Sequence, residues 1–421
     1  MKNNYKIKKA IIAFIFPLLI SCENTPKPLT GEKVSIFNQT SENETSNKRI
    51  ILEKPYINKN WNTTGGNNKN NLGHIAGKKS FKKLYSKDIG IVNSTKQILY
   101  KPVANETTIF TIDGKLKIMA TDINTGKTIW ANERLSNPEL IKFGSLALSN
   151  NDLYAITNTS QLVKLNALNG EIIYSKYFNT TLKSGLQICG DKLYFINDNN
   201  ELYIINTETG EKIYSHKTME ETSSFIKGST PICFDDKVIA TFSNGEVHMI
   251  MSDTATPIWL ESAYKINSSN INNIPDIVAN PITNEEIVII KSYNNITKAL
   301  TIDEGLKIWE NENGGTTTPI ISNETIFDIN NNKTATATDI TTGKTIWETK
   351  LETNVKDILF DPLLINNQLI IPVSNGNIIK LNPYNGKLIE TEELTSKIDI
   401  SPIIINDKLL ILSNGDLEVF N

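Results

Sequence analysis

The strongest constraint on this chain is that it repeats itself. From Pro102 onward a strand, a turn and an aromatic residue recur at about 40–45 residues, the period of a four-stranded propeller blade. Ala120-Thr-Asp-Ile-Asn-Thr-Gly126-Lys-Thr-Ile-Trp130 returns almost unchanged as Ala337-Thr-Asp-Ile-Thr-Thr-Gly343-Lys-Thr-Ile-Trp347. Weaker copies run from Leu165 through Gly170 to Tyr174, from Ile205 through Gly210 to Tyr214, from Thr301 through Gly305 to Trp309, and from Leu381 through Gly386 to Glu390. One copy has lost its glycine and reads Asp253-Thr-Ala-Thr-Pro-Ile-Trp259.

Each part of the element has a physical reading. Asn-Gly or Thr-Gly between apolar runs places a residue with positive φ in a tight hairpin. The preceding Asp or Asn bonds its own backbone and fixes the turn. Lys-Thr-Ile-Trp then alternates polar and apolar, as a half-buried strand does. A Trp at one position per unit packs on the next unit, worth about 1.5–3 kcal/mol by burial, and reads as core rather than as a ligand platform. Ahead of each element stand near-continuous apolar runs that suit buried inner strands, such as Thr230-Pro-Ile-Cys, Thr318-Pro-Ile-Ile, Asp361-Pro-Leu-Leu-Ile and Ser401-Pro-Ile-Ile-Ile. A proline heading a strand costs no ladder bond. The last unit, from Ser401 to Phe420, supplies only three strands. Phe81-Lys-Lys-Leu-Tyr85-Ser-Lys-Asp88 has the character of the missing fourth. The expected fold is therefore all-β: an eight-bladed propeller of four-stranded antiparallel blades, its last blade closed by an N-terminal strand beside Leu417 to Phe420, with no long free edge.

The N-terminus is built for export. Lys2, Lys6, Lys8 and Lys9 precede an uncharged apolar stretch from Ala10 to Ile20. That stretch is shorter than the roughly 20 residues a spanning helix needs, and it reads as a signal peptide over 1–21. Leu19-Ile20-Ser21-Cys22 looks like a lipobox, which makes Cys22 the lipidation site; two or more acyl chains hold a protein on a membrane stably. Glu23 is not the Asp of inner-membrane retention, so an outer-membrane anchor facing the periplasm is expected. Residues 22–60, polar and rich in Asn, Ser, Thr, Lys and Pro, read as a flexible tether, with the propeller over 61–421.

Cys189 and Cys233 fall at similar positions of neighbouring units, where small buried residues are normal, and read first as free cysteines, with a bridge between them as the alternative that export permits. His74, His216 and His248 are scattered, so no metal site is expected. A net charge of −3 with both signs interspersed gives no reason to expect nucleic acid. A closed ring needs no second copy, so a monomer is expected.

The D-x-x-T/N-G-x-x-x-W/Y element resembles the repeat of the pyrroloquinoline-quinone-like propellers. That superfamily includes quinoprotein alcohol dehydrogenases and the BamB-like lipoproteins of the outer-membrane β-barrel assembly machinery. Trp61-Asn-Thr-Thr-Gly65-Gly66 through Gly73-His74 looks like the pre-propeller segment of BamB-like proteins from α-proteobacteria. The resemblance implies a propeller that holds the periplasmic domains of the barrel subunit BamA through loops of two adjacent blades. One such loop carries an apolar–apolar–basic–Gly run before a strand-initial Pro. It matches Phe225, Ile226, Lys227 and Gly228 ahead of Pro231, one residue shorter. The other carries D-x-D-x-x-P and matches Asp276 to Pro281, but its second acid is Val278 here. Partner-binding candidates are therefore Phe225, Ile226, Lys227 and Asp276.

The competing implication is a quinone-dependent dehydrogenase, which needs a carboxylate base and a Ca²⁺-type oxygen cage. Quinoprotein alcohol dehydrogenases also show adjacent cysteines over the cofactor, and this chain has no such pair. Asp122 and Asp339 belong to the repeated turn, and no Gly-rich phosphate loop, H-E-x-x-H or G-x-S-x-G occurs. The sequence therefore reads as a scaffold with no catalytic residue and no cofactor, held among other assembly-complex subunits. A propeller binding an envelope ligand remains a third possibility.

Overall fold

The computed structural model describes residues 45–90, 101–135, 144–157, 161–221, 223–264 and 274–421. The expected signal peptide and the expected lipidation site, Cys22, lie outside these residues. Eight sheets follow one another along the chain. Blades 1 to 7 span 103–132, 144–177, 187–217, 232–262, 282–311, 320–350 and 363–393, each with four consecutive antiparallel strands. Blade 8 takes three strands from 403–420 and its outermost strand, Lys83–Asp88, from the other end of the chain. That strand runs antiparallel to Asp416–Phe420, with Tyr85 opposite Val419 and Lys87 opposite Leu417. The ring is sealed by both chain ends, as expected.

The repeated aromatic and the repeated glycine turn out to be two halves of one contact between blades. Trp130 donates its indole N–H to Ala167 O in the next blade (2.9 Å), Trp259 to Ile302 O (2.9 Å), Trp309 to Ile340 O (2.6 Å) and Trp347 to Pro383 O (2.8 Å). Tyr174 reaches Thr207 O at 3.0 Å, and Tyr85 reaches Ile123 O at 2.8 Å, so the closing strand supplies its own latch onto blade 1. Each ring lies flat on the glycine of the receiving turn. A Cβ on Gly305 would stand 2.6 Å from the Trp259 ring, and one on Gly343 2.7 Å from Trp309. The glycine is therefore required twice, for its positive φ and for the space its missing side chain leaves.

Two seams lack this latch. Between blades 7 and 8 the aromatic position is Glu390, and Lys380, its side chain fully buried, bonds Glu390 (2.7 Å), Glu392 (2.6 Å) and Lys79 O (2.9 Å). Between blades 3 and 4 the receiving glycine has become Ala255, still at φ 56°. Its methyl occupies the place of the ring, and Tyr214 stands 42% exposed. This seam is closed by a bond the sequence did not settle: Cys189 and Cys233, read first as free, form a disulfide between the innermost strands of blades 3 and 4, with Cα atoms 6.1 Å apart. Cys189 pairs with Lys192 at the end of its strand and Cys233 with Val238 one place further in, so the two positions are offset by one residue. Side chains one residue apart leave opposite faces of a strand, which lets the two meet across the seam at a distance a bridge can span.

The tether expectation also needs correction. Residues 45–60 lie on the ring instead of extending from it. Thr45 bridges Thr345, Ile50 is buried in the core shared by blades 6 and 7, and Asn58 pairs with Asn406. From there the chain circles one face of the disc and touches every blade. Trp61 exchanges both backbone bonds with Ala104 of blade 1 (2.8 and 2.9 Å), and Asn62 O accepts from Leu148 N of blade 2 (2.8 Å). Asn67 O accepts from Gln187 of blade 3 (3.3 Å), Asn68 O from Cys233 N (3.1 Å) and Lys69 O from Thr283 N (3.3 Å). Asn71 Oδ1 accepts from Ile321 N of blade 6 (3.0 Å), and His74–Ile75 forms a short parallel fifth strand on blade 7. The innermost strand of a blade has a bare hydrogen-bonding edge, and this belt satisfies it all the way round. Asn70, 4% exposed, points into the channel and donates to the carbonyls of Thr230 (2.8 Å), Pro231 (3.3 Å) and Pro281 (3.1 Å).

Candidate partner-binding face and central channel

The residue that precedes the blade-initial proline lines the channel and links each blade to the next. Thr230 N donates to Asn280 Oδ1 (2.7 Å), Asn280 N to Thr318 Oγ1 (3.2 Å), Thr318 N to Asp361 Oδ1 (2.8 Å) and Asp361 N to Ser401 Oγ (3.2 Å). Charges sit on this girdle. Lys101 meets Asp361 at 2.7 Å and lies over the Trp61 ring at 5.5 Å. Lys291, fully buried, bonds Asp328 at 2.5 Å and Ile329 O at 2.6 Å. Burial by itself would raise the Asp361 carboxyl; Lys101 and Lys227, with the Thr318 N–H, outweigh it and hold the group down at about 2.

Between the belt and the channel wall, a cavity lined by Trp61, Asn70, Lys101, Thr318 and Asp361 measures about 30 Å³. Sites for drug-sized organic molecules run to roughly 300–1,000 Å³. Among the described residues no three His, Cys, Asp or Glu side chains gather at metal-binding distance, and no helix is long and apolar enough to cross a membrane.

The four residues matched to partner-binding loops are brought together, but in different roles. They lie on the face opposite the belt, where chain segments enter the innermost strands. Asp276, expected to contact the partner, is 1% exposed. Its Oδ2 accepts from Phe225 N (2.7 Å) and Lys183 Nζ (3.1 Å). Burial pushes the Asp276 carboxyl up and the Lys183 amine down, and their mutual attraction opposes both shifts. Such a pair is costly to break from one side, about 3–5 kcal/mol. Asp276 therefore holds the 223–228 loop and does not itself face outward. Lys227 is half-buried and turned toward the channel; burial lowers its amine, Asp361 opposing and Lys101 adding to the shift. Ile226 stands 66% exposed. Phe225 lies edge-on to Tyr293 of blade 5, ring centroids 4.8 Å apart. Tyr293, 38% exposed, extends the apolar surface, and sequence reading missed it. Its signal was an aromatic in a Ser-Tyr-Asn-Asn turn, where the other copies carry Asn, Asp, Ser or Gly.

The family model described as "Outer membrane protein assembly factor BamB" matches residues 114–349, more than half of the chain. The chain belongs to the BamB family. It is 23% identical over 323 residues to outer membrane protein assembly factor BamB of Yersinia pestis, covering 74% of this chain and 81% of that protein. Against BamB of Moranella endobia it is 22% identical, covering 76% and 84%. A match to BamB of Legionella pneumophila, 24% identical, spans 45% of this chain and about half (49%) of that relative. In fold it is similar to the crystal structure of BamB from Moraxella catarrhalis, TM-score 0.71 at 16% identity over 81% of this chain and 100% of that one. It is also similar to a europium-containing methanol dehydrogenase, TM-score 0.69 at 12% identity over 86% and 90%. The eight-bladed ring is thus common to BamB proteins and to enzymes. What distinguishes members must lie in the loops and the channel.

Proposed function

We propose that this BamB-family chain is a non-catalytic scaffold of the outer-membrane β-barrel assembly machinery. It is anchored through acylated Cys22 to the outer membrane on the periplasmic side, and it binds the periplasmic domains of a BamA-like barrel protein to assist insertion of outer-membrane proteins. The observation that carries this reading is the 223–228 loop. It presents Ile226 and the Phe225–Tyr293 pair as an apolar patch on the face opposite the belt, on a backbone fixed by Asp276 and Lys183. Exposed aliphatic and aromatic anchors on a rigid support are what a protein interface needs, because little ordering entropy is lost on docking. Tethering raises the effective concentration, so a small contact suffices.

The test is site-specific photocrosslinking in intact envelopes. A probe at Ile226 should capture a large barrel protein, and a probe at Leu168, equally exposed at a turn between outer strands, should not. Ile226→Asp should reduce capture from a probe at Tyr293 at least tenfold. Equal capture from both probe positions, or dye reduction by the purified chain with an added quinone, would overturn the reading.

A further inference from the structure

His216 and His248, far apart in the chain, meet at the seam between blades 3 and 4. His216 Nε2 lies 2.8 Å from His248 Nδ1, with ring centroids 5.0 Å apart and planes at 76°. The outer side of each ring faces an acceptor. His248 Nε2 is 3.2 Å from the Glu246 carboxylate, and His216 has the Ala255 carbonyl as its other hydrogen-bond partner. A neutral imidazole carries one N–H, and the acceptor it faces decides which nitrogen holds it. With Glu246 at Nε2, His248 can hold its N–H outward, which turns its Nδ1 lone pair toward His216 Nε2. When His216 likewise holds its N–H toward the Ala255 carbonyl, the two inner nitrogens face each other as lone pairs and can share one cation.

We propose that the His216–His248 pair binds one late first-row divalent transition-metal ion, Zn²⁺ or Cu²⁺, through His216 Nε2 and His248 Nδ1. The outer partners are the ones such a site requires: a ligating imidazole donates its second N–H to a carboxylate or a carbonyl, which fixes the tautomer and turns the lone pair toward the metal. Metal–nitrogen bonds are about 2.0–2.1 Å, so the nitrogens must part to roughly 3.3 Å, a small ring movement. Solvent completes the coordination, because the pair opens onto a depression of about 840 Å³ lined also by Met219, Leu260 and Glu261. Imidazole ligation favours Cu²⁺ over Zn²⁺ in affinity. The ion would clamp the seam in which Ala255 has displaced the aromatic latch.

The experiment uses the full chain, purified without a polyhistidine tag, stripped with a chelator and titrated separately with Zn²⁺ and Cu²⁺ at neutral pH. One ion per chain is expected, with a Cu²⁺ electron-paramagnetic-resonance spectrum showing coupling to two nitrogens and a raised melting temperature for the metal-loaded protein. H216Q and H248Q should each weaken binding at least tenfold while the circular dichroism and the disulfide stay native. Glu246→Gln, which touches no metal, should weaken it about tenfold at unchanged stoichiometry. Absence of binding, or unchanged binding in the doubly substituted chain, would overturn the proposal and leave a proton as the only cation between the rings.

Discussion

Asp361 precedes a proline as Thr230, Thr318 and Ser401 do, and nothing in its neighbourhood in the chain marks it as different. Its partners stand 260 residues away at Lys101, 43 at Thr318 and 40 at Ser401, and only closure of the ring brings them together. The same distance hid the buried position of Asp276, which follows only from the fold setting Lys183 and the Phe225 N–H around it. Residue roles at the channel are thus poorly legible in sequence, because they depend on partners far away in the chain. The Asp361 carboxyl has a direct consequence for stability. Its pKa in the fold, about 2, lies below its ordinary value of 3.8, so the folded state binds this proton less readily than the unfolded chain. The contribution, about 2 kcal/mol, is complete above pH 4 and is lost as pH falls from about 4 through 2. Urea midpoints measured at pH 6 and pH 3 should differ less for Asp361→Asn than for the native chain. Equal differences would mean that Lys101 and Lys227 give the carboxylate no net support.

At the scale of elements the sequence was most informative, because strand, turn and aromatic are local patterns. The Trp residues are core, 8–9% exposed in blades 1, 4, 5 and 6, and the closing strand pairs where its character placed it. The disulfide escaped for a physical reason. A cysteine in a buried small-residue position has the same sequence environment whether its neighbour across the seam is a cysteine or an alanine, and only the inter-blade distance decides. The loss of Gly at position 255 was the visible clue, since an Ala there removes a latch that some other contact must replace. Replacing both cysteines by serine (Cys189→Ser with Cys233→Ser) should cost about 2–4 kcal/mol, reflecting the 44-residue separation that the bond spans. Thermal melting with and without reductant checks this. The native chain should lose stability on reduction, and the doubly substituted chain should not respond.

For the whole molecule, the ring was legible and the belt was not. A segment rich in Asn and Gly shows no hydrophobic period, because it binds through backbone groups and Asn amides to strand edges supplied by eight different blades. Gly65 illustrates the fit: a Cβ there would collide with the side chain of Asn70, the residue that bonds Thr230, Pro231 and Pro281. Ring closure by Lys83–Asp88 and edge capping by residues 45–75 are separable, since the closing strand lies downstream of the belt. A chain beginning at residue 76 keeps the Tyr85–Val419 pairing but exposes the innermost edge of every blade to water. Such edges are where strands fray and where foreign strands add. Hydrogen exchange should therefore speed up by tenfold or more at Ala104, Leu148, Cys233, Thr283 and Ile321, whose amides the belt receives. Outer strands such as Thr345–Lys350 should exchange as before. If acceleration were confined to blade 7, where His74–Ile75 adds its short strand, the belt would be a local appendage and the blades would hold their register without it.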